Sequence, residues 1–444
     1  MSADMSCASD QIVTTRSAEC DVLIIGGGPA GTTAAAILAE RGRDVVLLEK
    51  DRHPRFHIGE SLLPGNLPLF ERLGIAEEVR RIGIHKPGAE FVSDHFAKTN
   101  LLMFASAKHL AATHSYQVRR AEFDKLLLDN CSRKGACVIE NTRVTEVEFE
   151  PRGRATIRAV GPDNRITVWR PKFLVDASGR DTFVANRLRM KTADKRNNTA
   201  AVFGHFHGVP RRDGEAGGVI TVHFVDDGWF WLIPLQDGLM SVGLVGSPTL
   251  FKNRRLNTEE LFWASVKASP SVAERMRDAR PTGPLVAAGN YSYKAARSSG
   301  HQFLLIGDAF TFLDPVFSSG VMFAMSGGLS GAEAVDLYLT DRQRGRRALR
   351  AQDRRVRRAV ASLAWLICRI NDPVMRHMLL HPNNAFRMRD GLIGLLGGNF
   401  FDTGVPRMPV LVFKLAYYLQ TYAPALLRRA APVQWHDTWS YPDR

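Results

Sequence analysis

The segment DVLIIGGGPAGTTAAAILAERGRDVVLLEK, Asp21 to Lys50, restricts what this chain can fold into more than any other stretch. A continuous apolar run up to Ile25 reads as a buried strand, and it leads straight into Gly26, Gly28 and Gly31 at GxGxxG spacing. The first glycine allows a tight turn, the second lets the backbone approach a pyrophosphate, and the third lets the next helix pack closely on the strand. The pattern predicts a helix over Thr32 to Arg41, with its N-terminal N–H groups aimed at phosphates, and a second strand over Asp44 to Leu48. That strand ends at Glu49, where a carboxylate can hold a ribose hydroxyl. Pro29 and Ala30 inside the loop and Lys50 beside the acid complete the expected cofactor-binding set. Strand, loop, helix, strand and acid in this order predict an α/β fold with a Rossmann-like dinucleotide domain.

Three later segments decide which dinucleotide. FLLIGDAF, Phe303 to Phe310, again reads as a buried strand running into Gly307 and Asp308. FLVDASGR spans Phe173 to Arg180, and YQVRRAEFD spans Tyr116 to Asp124. Together they resemble the FAD-containing oxidoreductase superfamily. That resemblance implies FAD rather than NAD, with Asp308 at the ribityl chain, Asp176 near the cofactor and Arg120 beside the flavin.

A further string, GWFWLIP from Gly228 to Pro234, places Trp229 and Trp231 on one face of an expected strand that stops at a proline. Spacing alone favours packing for such bulk. Read with RFHIGESLLPGN from Arg55, with KPGAEF from Lys86 and with DPVFSSGV from Asp314, the string resembles the WxWxIP signature of flavin-dependent halogenases, in particular those acting on phenols and pyrroles. The resemblance covers roughly the first 340 residues. It implies Lys86 as the catalytic lysine, Trp229 and Trp231 as a barrier between flavin and organic substrate, and the backbone of Ser319 and Gly320 as the halide contact, with Gly320 also at the cofactor. Each assignment has a physical rationale. A buried lysine has a lowered pKa and can hold hypohalous acid, and the N–H groups opening a helix near Val321 can bind an anion. Spacing alone leaves an ordinary serine N-cap equally open. Phe317 stands where tryptophan-halogenating members carry glutamate, so the expected substrate is an electron-rich phenol or pyrrole, free or on an acyl or peptidyl carrier protein. Chloride or bromide and O2 are the expected co-substrates.

No second dinucleotide loop occurs, which implies reduced FAD delivered by a separate flavin reductase. The elements are dispersed along the chain, so the expected organisation is a lead-in over 1–20, an FAD domain over 21–336 interleaved with a β-sheet substrate domain (about 80–115 and 190–295), and a helical C-terminal region over 337–444. Five cysteines without CxxC spacing predict no metal site and a reducing, cytoplasmic setting, and the start of the chain does not read as a signal peptide. Net charge is +14, but nine arginines against two aspartates between Asp341 and Arg358 supply half of it, so the excess marks one basic helix rather than a nucleic-acid-binding chain. That helix faces solvent, an acidic carrier or an anionic membrane surface. Two alternatives remain at this stage: a same-fold flavin monooxygenase or oxidoreductase that does not halogenate, and a non-catalytic flavin-binding peripheral protein.

Overall fold

The computed structural model describes residues 16–108, 110–150, 154–247, 250–251, 256–401 and 407–423. Its first sheet has eight strands. At its centre β1 (Arg16–Ile25) runs parallel to β2 (Val45–Leu48) on one side and to β3 (Ile166–Asp176) on the other, with Ile25 level with Leu48 and with Asp176. The strand Phe303–Leu305 continues the parallel set beyond β3. Apolar residues fill these strands because helices cover the sheet, as a parallel sheet requires. Helix α1 (Pro29–Glu40) crosses from β1 to β2, with every residue from Pro29 to Leu38 buried. It begins three residues before the sequence pattern predicts, since proline at its first position has the fixed φ and missing N–H that a helix start accepts. Residues 16–20 are strand rather than lead-in, because β1 keeps register with β3 from Arg16 onward. Residues 1–15 lie outside the described residues.

A second sheet of nine strands collects chain from 88–103, 191–295 and Thr311–Phe312. At its middle lie β4 (Ile220–Val225), β5 (Gly228–Pro234) and β6 (Met240–Gly246), joined antiparallel. Every residue of β5 is buried, and the period of two sorts its side chains. Trp229, Trp231 and Ile233 enter one apolar cluster, while Phe230 and Leu232 enter another on the opposite face. The Trp231 indole lies directly over Gly243, its register partner on β6.

The tryptophan face is roofed by the C-terminal helices. Helix α2 (Arg120–Arg133) and helix α3 (Gly320–Thr340) pack on α1, and α4 (Arg342–Ile367) turns back against α3. Thus α3 runs through position 337, and the helical region opens at Asp341, whose carboxylate caps α4 by accepting from the N–H groups of Gln343 and Arg344. Over about 39 Å, α4 links the two halves: Leu349 sits in the nucleotide-domain core, and Leu363, Leu366 and Ile367 sit on the tryptophan face. Helices α5 (Pro373–Leu380), α6 (Met388–Leu396) and α7 (Arg407–Tyr422) complete the roof with Met375, Leu392 and Phe413. Among the described residues no helix is long and apolar enough to cross a membrane.

A methyl group at position 243 would run into the Trp231 ring, because the ring replaces the missing side chain across the strand pair. Gly243→Ala should therefore lower stability by about 1 to 3 kcal/mol in urea denaturation followed by tryptophan fluorescence. An unchanged midpoint would remove this account of the pair.

Candidate active site

Strand β1 is followed by Gly26, whose φ of +102° makes the turn; a Cβ there would run into the Ala177 carbonyl just after β3. A Cβ at Gly31 would run into the Gly26 carbonyl. At Gly28, the N-cap of α1, a Cβ would meet only Arg55 Nη2 at 3.9 Å. The first and third glycines are thus demanded by the chain itself, and the second leaves a space that the chain does not fill. No acid lies in the first turn of α1, so the N–H groups beside Ala30 and Gly31 and the helix dipole open onto that space. Arg55 adds a guanidinium whose buried Nε has no hydrogen-bond partner among the described residues, with the Asp51 carboxylate 4.0 Å away. This donor set suits a pyrophosphate.

Glu49 closes the cradle from β2. Its Oε2 accepts from the Gly27 N–H at 2.6 Å and its Oε1 from the Asp51 N–H at 2.9 Å, which fixes the loop and leaves lone pairs for ribose hydroxyls. Lys50, expected beside it, instead ion-pairs with Asp181 at 2.6 Å and is exposed. Asp176, expected near the cofactor, has its carboxylate bound within the chain. It is fully buried, with Oδ1 accepting from the Ser178 N–H and Oδ2 from the Val184 N–H, so it ties down the turn after β3. Gly307, at φ +58°, sets the GD turn against Ala30. Burial raises the Asp308 carboxyl to about 6, against the opposing pull of Arg120 and Arg180. Arg120 is itself buried, held by Asp124 through Nε at 2.7 Å and Nη2 at 3.0 Å, and donates to the Ile58 carbonyl at 2.7 Å. Gly loop, acid, GD turn and buried arginine converge as an FAD would require, and the residues fit that cofactor.

Lys86 closes the strand Gly83–Lys86 and is 1% exposed. Its Nζ donates to Ser61 Oγ and to the Leu62 carbonyl, both at 2.8 Å. Burial lowers its pKa to about 7, and no acid contributes to the shift. An ammonium has three N–H donors, so one remains beyond these two bonds. The amine stands 5.6 Å from the centre of the Phe104 ring, and Phe104 shares an apolar cluster with Trp229, Trp231, Val316 and Phe317. The two indoles are 5.9 Å apart, tilted by 48°, and Trp231 Nε1 donates to Ser241 Oγ at 3.1 Å. Both belong to the core.

Phe317 leads by a left-handed Ser318 (φ +55°) to Ser319 and Gly320, where α3 begins. Ser319 is buried but makes no capping hydrogen bond, and a Cβ at Gly320 would meet nothing within 4 Å. Among the described residues, then, the first turn of the helix is not capped by Ser319 and holds no acid, and there is room beside Gly320. Sequence reasoning did not single out Ser61, although it lies in the quoted GES segment. It also missed the pair of Glu60 and His205, 2.8 Å apart, because nothing around His205 marks it.

The FAD binding domain family matches residues 19–363. A tryptophan 2-halogenase of Chondromyces crocatus is 35% identical over 71% of this chain and 60% of its own length. A 1H-pyrrole-2-carbonyl-[peptidyl-carrier protein] chlorinase of Pseudomonas fluorescens is 31% identical over 69% of this chain and 73% of its own length. A flavin-dependent brominase of known structure superposes with a TM-score of 0.81 at 27% identity, covering 92% of this chain and all of that one. The chain spans 60 to 67% of the length of the first curated relatives it matches.

Two outcomes test this geometry. Since position 28 has room, Gly28→Val should fold with an unchanged melting temperature yet purify colourless; a full flavin spectrum would place the pyrophosphate elsewhere. Lys86 titrates at about 7 in the folded chain but near its ordinary value of 10.5 when unfolded, so the unfolded state holds more protons between those values and stability rises with pH there. Relative to Lys86→Met, the parent should gain on the order of 1.4 kcal/mol per pH unit from about pH 7 to 10 in urea denaturation, and parallel profiles would contradict the buried amine.

Proposed function

The chain belongs to the flavin-dependent halogenase family, built on an FAD binding domain, and from that premise we propose that it halogenates an electron-rich aromatic of phenol or pyrrole type. The observation that carries the reading is Lys86, an amine buried without a counter-charge against an aromatic cluster. FAD, reduced by a separate reductase, would supply with O2 the two-electron oxidation of chloride or bromide to hypohalous acid. Gly26, Gly28, Gly31 and Glu49 would hold its dinucleotide end, and Arg120 and Asp308 its flavin side. The uncapped N–H groups at Ser319 and Gly320 would hold the halide.

Lys86 then does two things. Its free N–H hydrogen-bonds the oxygen of hypohalous acid, which draws electron density from the halogen and fixes where the halogen points. A ring carbon attacks the halogen, the O–halogen bond breaks, and the oxygen leaves as water with the proton that the ring loses. With a pKa of about 7 the amine is close to half protonated at neutral pH, so donating and recovering a proton cost little. Trp229 and Trp231 wall the ring off from the flavin side, so that only a small species passes.

Phe317 puts an apolar ring where an acid would help activate a poorer substrate, which supports a phenol or pyrrole. The tryptophan 2-halogenase among the relatives makes tryptophan a necessary member of any substrate panel. The pyrrolyl-carrier chlorinase likewise supports a substrate presented on a carrier protein.

The purified protein, with FAD, a flavin reductase and either halide, should give halide-dependent products by mass spectrometry from a panel of phenols, pyrroles and tryptophan, free and carrier-bound. Oxygenated products that form without halide would assign it instead to a same-fold monooxygenase. Lys86→Met should retain FAD and release of hypohalous acid but lose directed halogenation by at least roughly a hundredfold. Parent-level turnover would remove Lys86 from the mechanism.

A further inference from the structure

Helix α4 is buried along Leu349, Val356, Ala359 and Leu363. On the opposite face Arg347, Arg354, Arg358, Ala361 and Trp365 follow one another at steps of seven, four, three and four residues. The three arginines are exposed, and among the described residues none of them is paired with an acid; the two aspartates nearby are occupied in capping the helix and in binding Arg357. Helix α7 continues this face. Met408, Leu411, Leu415, Tyr418 and Tyr422 recur at steps of three, four, three and four and are 37 to 78% exposed, while Phe413 and Tyr417 on the other side are buried. The two stripes meet where Trp365 Nε1 donates to the Tyr418 hydroxyl at 3.0 Å, with Lys414 and Arg369 lying over the Trp365 ring.

We propose that this composite face docks the protein on an anionic lipid bilayer, with α7 lying in the interface and the α4 arginines on the headgroups. Leucine and methionine at the centre, tyrosine and tryptophan at the join, and cations alongside match the boundary between acyl chains and charged headgroups. An apolar stripe of this length is costly in water, and the unpaired guanidiniums repel one another unless an extended anionic surface compensates them. A bilayer answers both at once. The proposal is independent of the halogenation reading.

The test uses the full chain loaded with FAD and flotation with vesicles of phosphatidylcholine alone or with about one third phosphatidylglycerol. The expected result is flotation only with the anionic vesicles, weakening as salt rises past about 0.1 M. Arg347→Glu/Arg354→Glu/Arg358→Glu should reduce partitioning by about a hundredfold, and Leu411→Glu/Leu415→Glu by at least roughly tenfold. Both variants change exposed side chains, so bound FAD and melting temperature should match the parent and separate lost docking from lost folding. Absence of flotation with phosphatidylglycerol overturns the proposal, as does flotation that neither variant reduces. Retention on an acidic carrier protein without flotation makes the face a protein-docking surface instead. A dimer that Leu411→Glu/Leu415→Glu dissociates, without flotation, makes it a self-association face.

Discussion

A lysine amine held at 1% exposure without a carboxylate against it loses hydration that two neutral acceptors only partly replace, and the chain around it is arranged to bear that cost. Both sides of the arrangement hang from one strand, Ser115–Val118. Lys86 is the register partner of Ser115, and the segment that supplies Ser61 Oγ and the Leu62 carbonyl lies against the same strand, through the Ser61 bridge to Gln117 and the Leu62 N–H to the Tyr116 carbonyl. Donor and acceptors therefore move together. The amine is fixed without an ion pair, which would have raised its pKa.

The acceptor segment also connects the two halves of the site. Glu60, next to Ser61, binds His205 of the second sheet, whose ring packs on Phe56; Phe56 stacks with Phe203, and Phe203 lies 5.8 Å from Trp231. On its other side, Arg120 donates to the Ile58 carbonyl. A run of six residues, from Phe56 to Ser61, thus touches Arg120 and the buried Lys86 and reaches Trp231 through Phe203.

The roof over the tryptophans has a different basis. β5 is buried on both faces, which an antiparallel strand in a single sheet is not unless something covers its second side. The C-terminal helices provide that cover, and α4 carries the connection because it is long enough to belong to both cores. The inner side of these helices covers the tryptophans, and their outer side, with Arg354, Arg358, Leu411 and Leu415, is exposed.

Local sequence determined the features that depend on backbone freedom and on period. The GxGxxG loop was legible because only glycine satisfies the turn at Gly26 and the close approach at Gly31, while Gly28 leaves open the space beside them. The GWFWLIP string was legible because alternation assigns Trp229 and Trp231 to one face. Resemblance directed attention to Lys86, and its lowered pKa arises from burial that no neighbour in sequence reports. Tertiary structure alone decided which groups meet across long separations: Ser61 with Lys86 and Glu60 with His205. It also turned Lys50 toward Asp181 and joined the stripes of α4 and α7 at Trp365. The reason is physical. A glycine turn or a period-two strand is specified by the residues that form it, whereas a hydrogen bond between distant side chains exists only once packing has fixed the position of both.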